Sequence, residues 1–226
     1  MGMSRWVTAG ALVCLVAGPV GQLAQYLVSP VDEAASPAEQ VTAAAAHAPA
    51  MGIAVGLDVL LLLLLPAVLY AGMVAGGTVS RLAVAGTALS FVSMLGAGYL
   101  LAQDVVIRAA AAQPDHDTAV GVVSAYEHSA VVTGLTVLYL AGHVIGFILL
   151  GIALVRSRAV PAWAGIALCL WPVAEMLGEG AGVKALAAAG FALLAVAFGA
   201  CAWALVQRQA DSGTRGVLSP TEHAIV

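Results

Sequence analysis

Apolar residues fall into six long runs along this chain, separated by short polar breaks. The runs cover residues 7–28, 49–75, 82–103, 129–155, 161–177 and 184–208. Apolar runs of roughly 20 residues read as helices that cross a bilayer. The fourth is the clearest. Between Ser129 and Val155 it holds no Asp, Glu, Lys or Arg, and its single ionisable side chain is His143, near the middle. Tyr126, Glu127 and His128 precede it, and Arg156, Ser157 and Arg158 close it. The fold class this predicts is all-α: one polytopic domain of six transmembrane helices over residues 1–210, with a disordered tail over 211–226.

Breaks in the pattern add detail. Arg5 and Trp6 precede the first run, which turns polar at Gln22, Gln25 and Tyr26. No small-x-small cleavage site follows it, and Cys14 lacks the small residue a lipoprotein signal needs, so an uncleaved first helix is expected. Residues 29–48 are polar, and the Ala-rich part, 38–47, predicts a short surface helix. In the second run six leucines, 60–65, precede Pro66, where a kink is expected. Gly76, Gly77 and Ser80 predict a turn before Arg81. The third run ends at Asp104, with Arg108 four residues on and able to pair with it on one helical face. Residues 109–118 predict an outer loop. The fifth run carries Trp171, Pro172 and Glu175, and Gly178 to Gly182 turn the chain into the sixth.

Composition excludes several classes. Of 226 residues 62% are hydrophobic and 9% charged, and the mean hydropathy is +1.02. No soluble globular domain has that balance. The net charge of -4 and the absence of a basic patch exclude a nucleic-acid partner. Cys14, Cys169 and Cys201 each lie within an apolar run without CxxC spacing, so neither a zinc site nor a disulfide framework is indicated.

Charge also orients the chain. Arg5, Arg81, Arg156, Arg158, Arg208 and Arg215 fall at one end of the predicted helices, while Arg108 and Lys184 fall at the other. The positive-inside rule then places both termini in the cytoplasm. The acidic residues collect at the opposite, outer end. A site in this bundle is therefore expected to open outward, within the bilayer that is the chain's first partner. No inverted repeat relates the two halves, which counts against a secondary transporter.

Ionisable groups within membrane helices are costly and mark function or specific pairing. Asp58 and His143 lie deepest. Asp104, Glu127, His128 and Glu175 lie near the outer helix ends. These six are the catalytic candidates. Asp58 and His143 differ in depth by about 6 Å at 1.5 Å per residue, so a buried Asp58–His143 pair is expected if their helices are neighbours. On the fourth helix Thr136, Tyr139 and His143 share a face, and on the third Ser90, Ser93, Ala97 and Asp104 do. His128 and His143 would need matching histidines on facing helices to hold two haems; only His47 is placed for one, opposite His128. No cofactor and no metal are expected, although a haem or metal through His47 and His128 stays open. The purified protein should be colourless.

The block from His128 through Gly142, His143, Gly146, Leu149, Leu150, Gly151, Val155, Arg156 and Ser157 to Val160, Pro161, Gly165 and Ile166 is similar to a family of bacterial six-helix integral membrane proteins of unknown function. The second run, from Gly52 to Tyr70, and the turn to Arg81 and Leu82 fit the same layout. The resemblance implies the six-helix architecture and a bacterial plasma membrane, and it carries over no activity.

Two function classes follow. One is a membrane-embedded enzyme acting on a lipophilic small molecule, such as an isoprenoid, by cyclase- or isomerase-type acid–base chemistry. Carboxyl groups would donate protons, His143 would relay them, and Trp163, Trp171, Tyr99, Tyr126 and Tyr139 would line an apolar pocket or stabilise cations. The other is a small transporter or exporter, or an accessory membrane subunit without catalysis.

Overall fold

The computed structural model describes residues 4–76 and 80–217, with side chains as far as residue 210. Gly77, part of the expected turn, and the end of the tail, including His223, lie outside the described residues, as do the side chains from 211 on.

Among the described residues every element is helical. Helix α1 (Arg5–Val28) begins at Ser4, whose hydroxyl accepts from the Val7 N–H at 3.4 Å. Helix α2 (Pro37–Ala46) is the expected surface helix. It is held by a capping box in which Ser36 and Glu39 satisfy each other's free backbone N–H groups. The second run is broken into α3 (Ala48–Asp58), a 3-10 turn (Val59–Leu63) and α4 (Leu64–Val74). Proline explains the break. Pro66 has no N–H for the Leu62 carbonyl and its ring crowds that carbonyl, so the turn before it tightens. The expected kink thus lies among the leucines, directly after Asp58.

The third run is longer than expected. Helices α5 (Arg81–Gly96) and α6 (Gly98–Ala111) meet at Ala97 and together form one long apolar stretch, Arg81–Ala111. Asp104 is therefore not a helix end but sits inside α6, buried. Its expected pairing with Arg108 is replaced by one with Gln25. Arg108 lies instead over Gly52 of α3, its Nη2 3.5 Å from where a Cβ would stand, an ordinary packing distance. Part of the expected outer loop is a helix, α7 (His116–Glu127), capped by Asp115, which accepts from the Thr118 N–H at 3.1 Å. Helix α8 (Ala130–Ser157) is the clear fourth run, α9 (Ala162–Gly180) the fifth and α10 (Lys184–Val217) the sixth.

Among the described residues, five stretches are long and apolar enough to cross a membrane: α1, α3 with α4, α5 with α6, α8, and α10. These make the chain an all-helical membrane protein. Helix α9 is absent from that set, because Trp171, Pro172, Glu175 and Glu179 dilute its 19 residues. It nevertheless packs between α8 and α10.

The helices close into a ring in the order α1, α10, α9, α8, α5, α4 and back to α1. Small residues set the α5–α8 seam. A Cβ on Gly86, Gly142 or Gly146 would fall 2.5–2.8 Å from backbone or side-chain atoms across the α5–α8 contact. Close backbone approach at small residues is how membrane helices pack when lipid is as apolar as the core. One end of the ring is filled by Phe147, Leu150, Leu154, Leu168, Leu194 and Phe198, all fully buried. At the other end α2, α7 and the adjoining turns of α3 and α6 form a second, smaller core around Met51, Ile107 and Val123.

The two ends differ in chemistry. Thr8 and Gln209 hydrogen-bond, and Arg208 donates to the Val74 carbonyl at 3.0 Å, so the start of α1, the end of α4 and the Arg208 region of α10 share one end. Exposed Trp6, Trp163 and Trp203 belong to that end, as interfacial aromatic residues do. Lys184 donates to the Ser29 carbonyl at 2.9 Å at the other end, where the acidic residues gather.

Candidate functional site

A cavity of about 340 Å³ opens at the acidic end. It is walled by α1, α3, α6, α8, α9 and α10, and covered in part by the α1–α2 connection. Five carboxyl groups line it: Glu33, Asp58, Asp104, Glu175 and Glu179. Gln22, Gln25 and Gln103 add amides, and Tyr26, Tyr99, Tyr139, Trp171 and Phe191 add rings.

Helix α1 orders two of the acids. Gln22 and Gln25 are three residues apart and so face the same way. Gln22 Nε2 donates to Asp58 Oδ1 at 3.4 Å, and Gln25 Nε2 donates to Asp104 Oδ2 at 3.0 Å. Asp58, Asp104 and both glutamines are buried. Each amide gives a buried carboxyl a neutral partner without adding charge. Asp58 reaches the wall because α3 ends on it, at the break Pro66 imposes.

The third carboxyl has a different partner. His143 Nε2 lies 3.0 Å from Glu175 Oε2, a hydrogen bond that is an ion pair only when the imidazole is protonated. His143 is fully buried and Glu175 nearly so, 12% exposed on the cavity side. The imidazole is packed among rings, with Trp171 at 4.2 Å, Tyr139 at 4.7 Å and Phe147 at 5.7 Å between centroids. Its Nδ1 has no partner. A neutral imidazole donates from one nitrogen only, so an Nε2–H pointing at the Glu175 carboxylate leaves Nδ1 as a bare lone pair rather than a stranded donor. The Trp171 indole N–H also finds no acceptor.

The expected Asp58–His143 pair is thereby corrected. Helix α8 packs on α5 and α9, while α3 packs on α1 and α6. Matching depth was not enough, because the two helices are not neighbours. Each group has taken a partner from an adjacent helix.

Glu33 enters from the α1–α2 connection. It lines the cavity, although the residue as a whole is exposed at the cavity mouth. Loss of water around its carboxyl raises it to about 8, and the negative charges of Glu179, Asp104, Glu175 and Asp58 push the same way. At the rim, Lys184 lies 5.6 Å from the Tyr26 ring centroid.

Of the six expected site residues, Asp58, Asp104 and Glu175 line the cavity, and His143 stands directly behind Glu175. Glu127 is set back; its Oε1 accepts from Gln103 Nε2 at 3.4 Å, and Gln103 is the residue that reaches the wall. His128 is exposed at the end of α7, with Nδ1 2.8 Å from the Ser124 carbonyl. Among the described residues no group of three or more His, Cys, Asp or Glu is arranged to hold a metal ion. Gln22, Gln25, Glu33 and Glu179 also line the cavity and are not among the six expected residues, although Glu33 and Glu179 belong to the acidic outer end toward which a site was expected to open. Two amides three residues apart in an otherwise apolar run were the available signal for the first two.

No family model matches the chain, and no curated protein or solved structure is significantly similar to it. The cavity's own chemistry is therefore what bears on function.

Proposed function

We propose that this is a membrane-embedded enzyme that acts on a lipophilic small molecule by acid–base chemistry in the carboxyl-lined cavity. The observation that carries the reading is the buried His143–Glu175 pair, with Glu175 facing the cavity. In its protonated form Glu175 gives its proton to a carbon–carbon double bond of the substrate. The cation so formed closes onto, or shifts to, another carbon. Loss of a proton from that carbon to the Glu175 carboxylate completes an isomerisation or cyclisation with no co-reactant. His143 orients the carboxyl and holds the proton between turnovers. The faces of Trp171, Tyr139 and Phe191 stabilise the cation, and an isoprenoid chain suits the apolar wall of Leu61, Leu64, Met94 and Leu194.

In the same proposal α9 is a sixth crossing, both termini are cytoplasmic, and the cavity opens to the extracytoplasmic side of a bacterial plasma membrane. The arginine-rich end supports that orientation. The alternative, an exporter or accessory subunit, finds less support. Alternating access needs a route through the arginine end, where large side chains and the glycine seam are closely packed.

The test is conversion. The protein in lipid nanodiscs is incubated with a lipid-soluble extract, and products are compared by mass spectrometry with those of Glu175→Gln and His143→Gln. A product made by the wild type and lost in both variants is expected. Failure of the wild type to convert any component, or full retention by Glu175→Gln, would sink the enzyme reading.

A further inference from the structure

We infer that the cavity is cation-selective: it takes a lipophilic molecule carrying a positive centre and rejects phosphate and diphosphate esters of the same chain. This rests on reading the cavity as the site of a lipophilic molecule, and it adds the charge of that molecule.

The first ground is the sign of the lining. Glu33, Asp58, Asp104, Glu175 and Glu179 all face one space of about 340 Å³, and no arginine lines it. Lys184 stands at the rim and is already fixed, donating to the Ser29 carbonyl and lying over Tyr26. A diphosphate would meet carboxyl groups with nothing to neutralise it. A bound cation instead meets the carboxyl groups as favourable partners, with its charge opposite in sign to theirs.

The second ground is independent of the acids. Trp171 is 2% exposed, lines the cavity, and has an indole N–H with no acceptor in the protein. Buried donors are rarely left unpaired. The indole nitrogen itself has almost no accessible surface, so it marks a polar patch in the cavity wall rather than a group already open to the ligand. The rings of Tyr26, Tyr99, Tyr139 and Phe191 complete a wall of π faces, which attract a desolvated cation.

The experiment uses two ions of the same shape and opposite charge, tetraphenylphosphonium and tetraphenylborate. Each is titrated calorimetrically into the full chain in nanodiscs, with empty nanodiscs subtracted. Saturable binding of the phosphonium is expected, with the borate weaker by at least about tenfold. Glu33→Gln with Glu179→Gln should weaken the phosphonium by about tenfold, while Asp115→Asn, outside the cavity, should not. Equal binding of the two ions, preference for the borate, or no loss in the double variant overturns the inference. The outcomes separate cleanly. Phosphonium binding without any lipid conversion defeats the enzyme reading alone, whereas conversion of a diphosphate ester defeats the charge inference alone.

Discussion

His143 Nε2 and Glu175 Oε2 lie 3.0 Å apart on adjacent helices, the imidazole fully buried and the carboxyl facing a cavity. The contact needs α9 close to both its neighbours. At Gly190 of α10, a Cβ would fall 2.8 Å from the Glu175 N and 2.9 Å from the Trp171 carbonyl oxygen. Glycine on one helix therefore sets the position of the acid on the next.

The pair should behave as a unit. Removing one member of a buried hydrogen-bonded pair leaves the other unsatisfied, at a cost of about 1–3 kcal/mol. His143→Ala is expected to lower stability by that order, measured by reversible unfolding in mixed micelles. Glu175→Gln keeps a hydrogen-bonding group and should cost less. In the double variant the two losses should fall short of their sum. Strict additivity would mean the contact contributes nothing.

Gly146 should tolerate no side chain. A Cβ there would fall 2.5 Å from the Ser90 N on α5, and backbone cannot rotate away. Gly146→Val should therefore abolish stable insertion or lower stability by about 1–3 kcal/mol or more. Gly134, in the same helix, has nothing within 4 Å of its Cβ position, so Gly134→Ala should be nearly neutral. Similar behaviour of the two variants in a thermal-aggregation assay would mean that α5 and α8 do not meet as described.

Gln25 is expected to matter more than its place at a helix end suggests. Gln25→Leu leaves the buried Asp104 carboxyl without its partner, which costs about 1–3 kcal/mol. Gln25→Leu with Asp104→Leu should recover much of that loss, because two apolar groups need no partner. A double variant as unstable as the single one would mean that Gln25 supports something other than Asp104.

Glu33 should make stability depend on pH. Its folded-state value of about 8 lies above the ordinary 4.5. Between those values the folded protein binds more protons at this site than the unfolded chain, so this contribution to stability falls as pH rises. It is fully present below about 4.5 and is lost as pH passes 8. Around it stand Glu179, Asp104, Glu175 and Asp58, with Asp32 and Lys184 at the rim. Glu33→Gln should flatten the slope between pH 5 and 9. A slope as steep as the wild type's would assign it to the other carboxyls.

Orientation is open to a direct check. A reporter fused after Arg208 should read cytoplasmic and one inserted at Pro114 external. The reversed pair of signals would overturn the proposed topology.

Apolar run length determined the helices, because a bilayer admits backbone only where it bonds to itself. Pro66 and the Ser36–Glu39 box fixed local breaks and starts, through atoms within a few residues of each other. The distribution of arginine separated a basic end from an acidic one, and the carboxyl groups of Asp58, Asp104 and Glu175 could be picked out because charge within such runs is so rare. Which carboxyl meets which partner was decided only by the tertiary structure. His143 pairs with Glu175 rather than Asp58 because α8 neighbours α9 and not α3, and that order follows from glycines fitting against backbone across distant stretches of chain. Glu33 in its polar connection, and Gln22 and Gln25 at a helix end, became part of a site only when the ring closed around them. Their sequence neighbours carry no record of the acids they face.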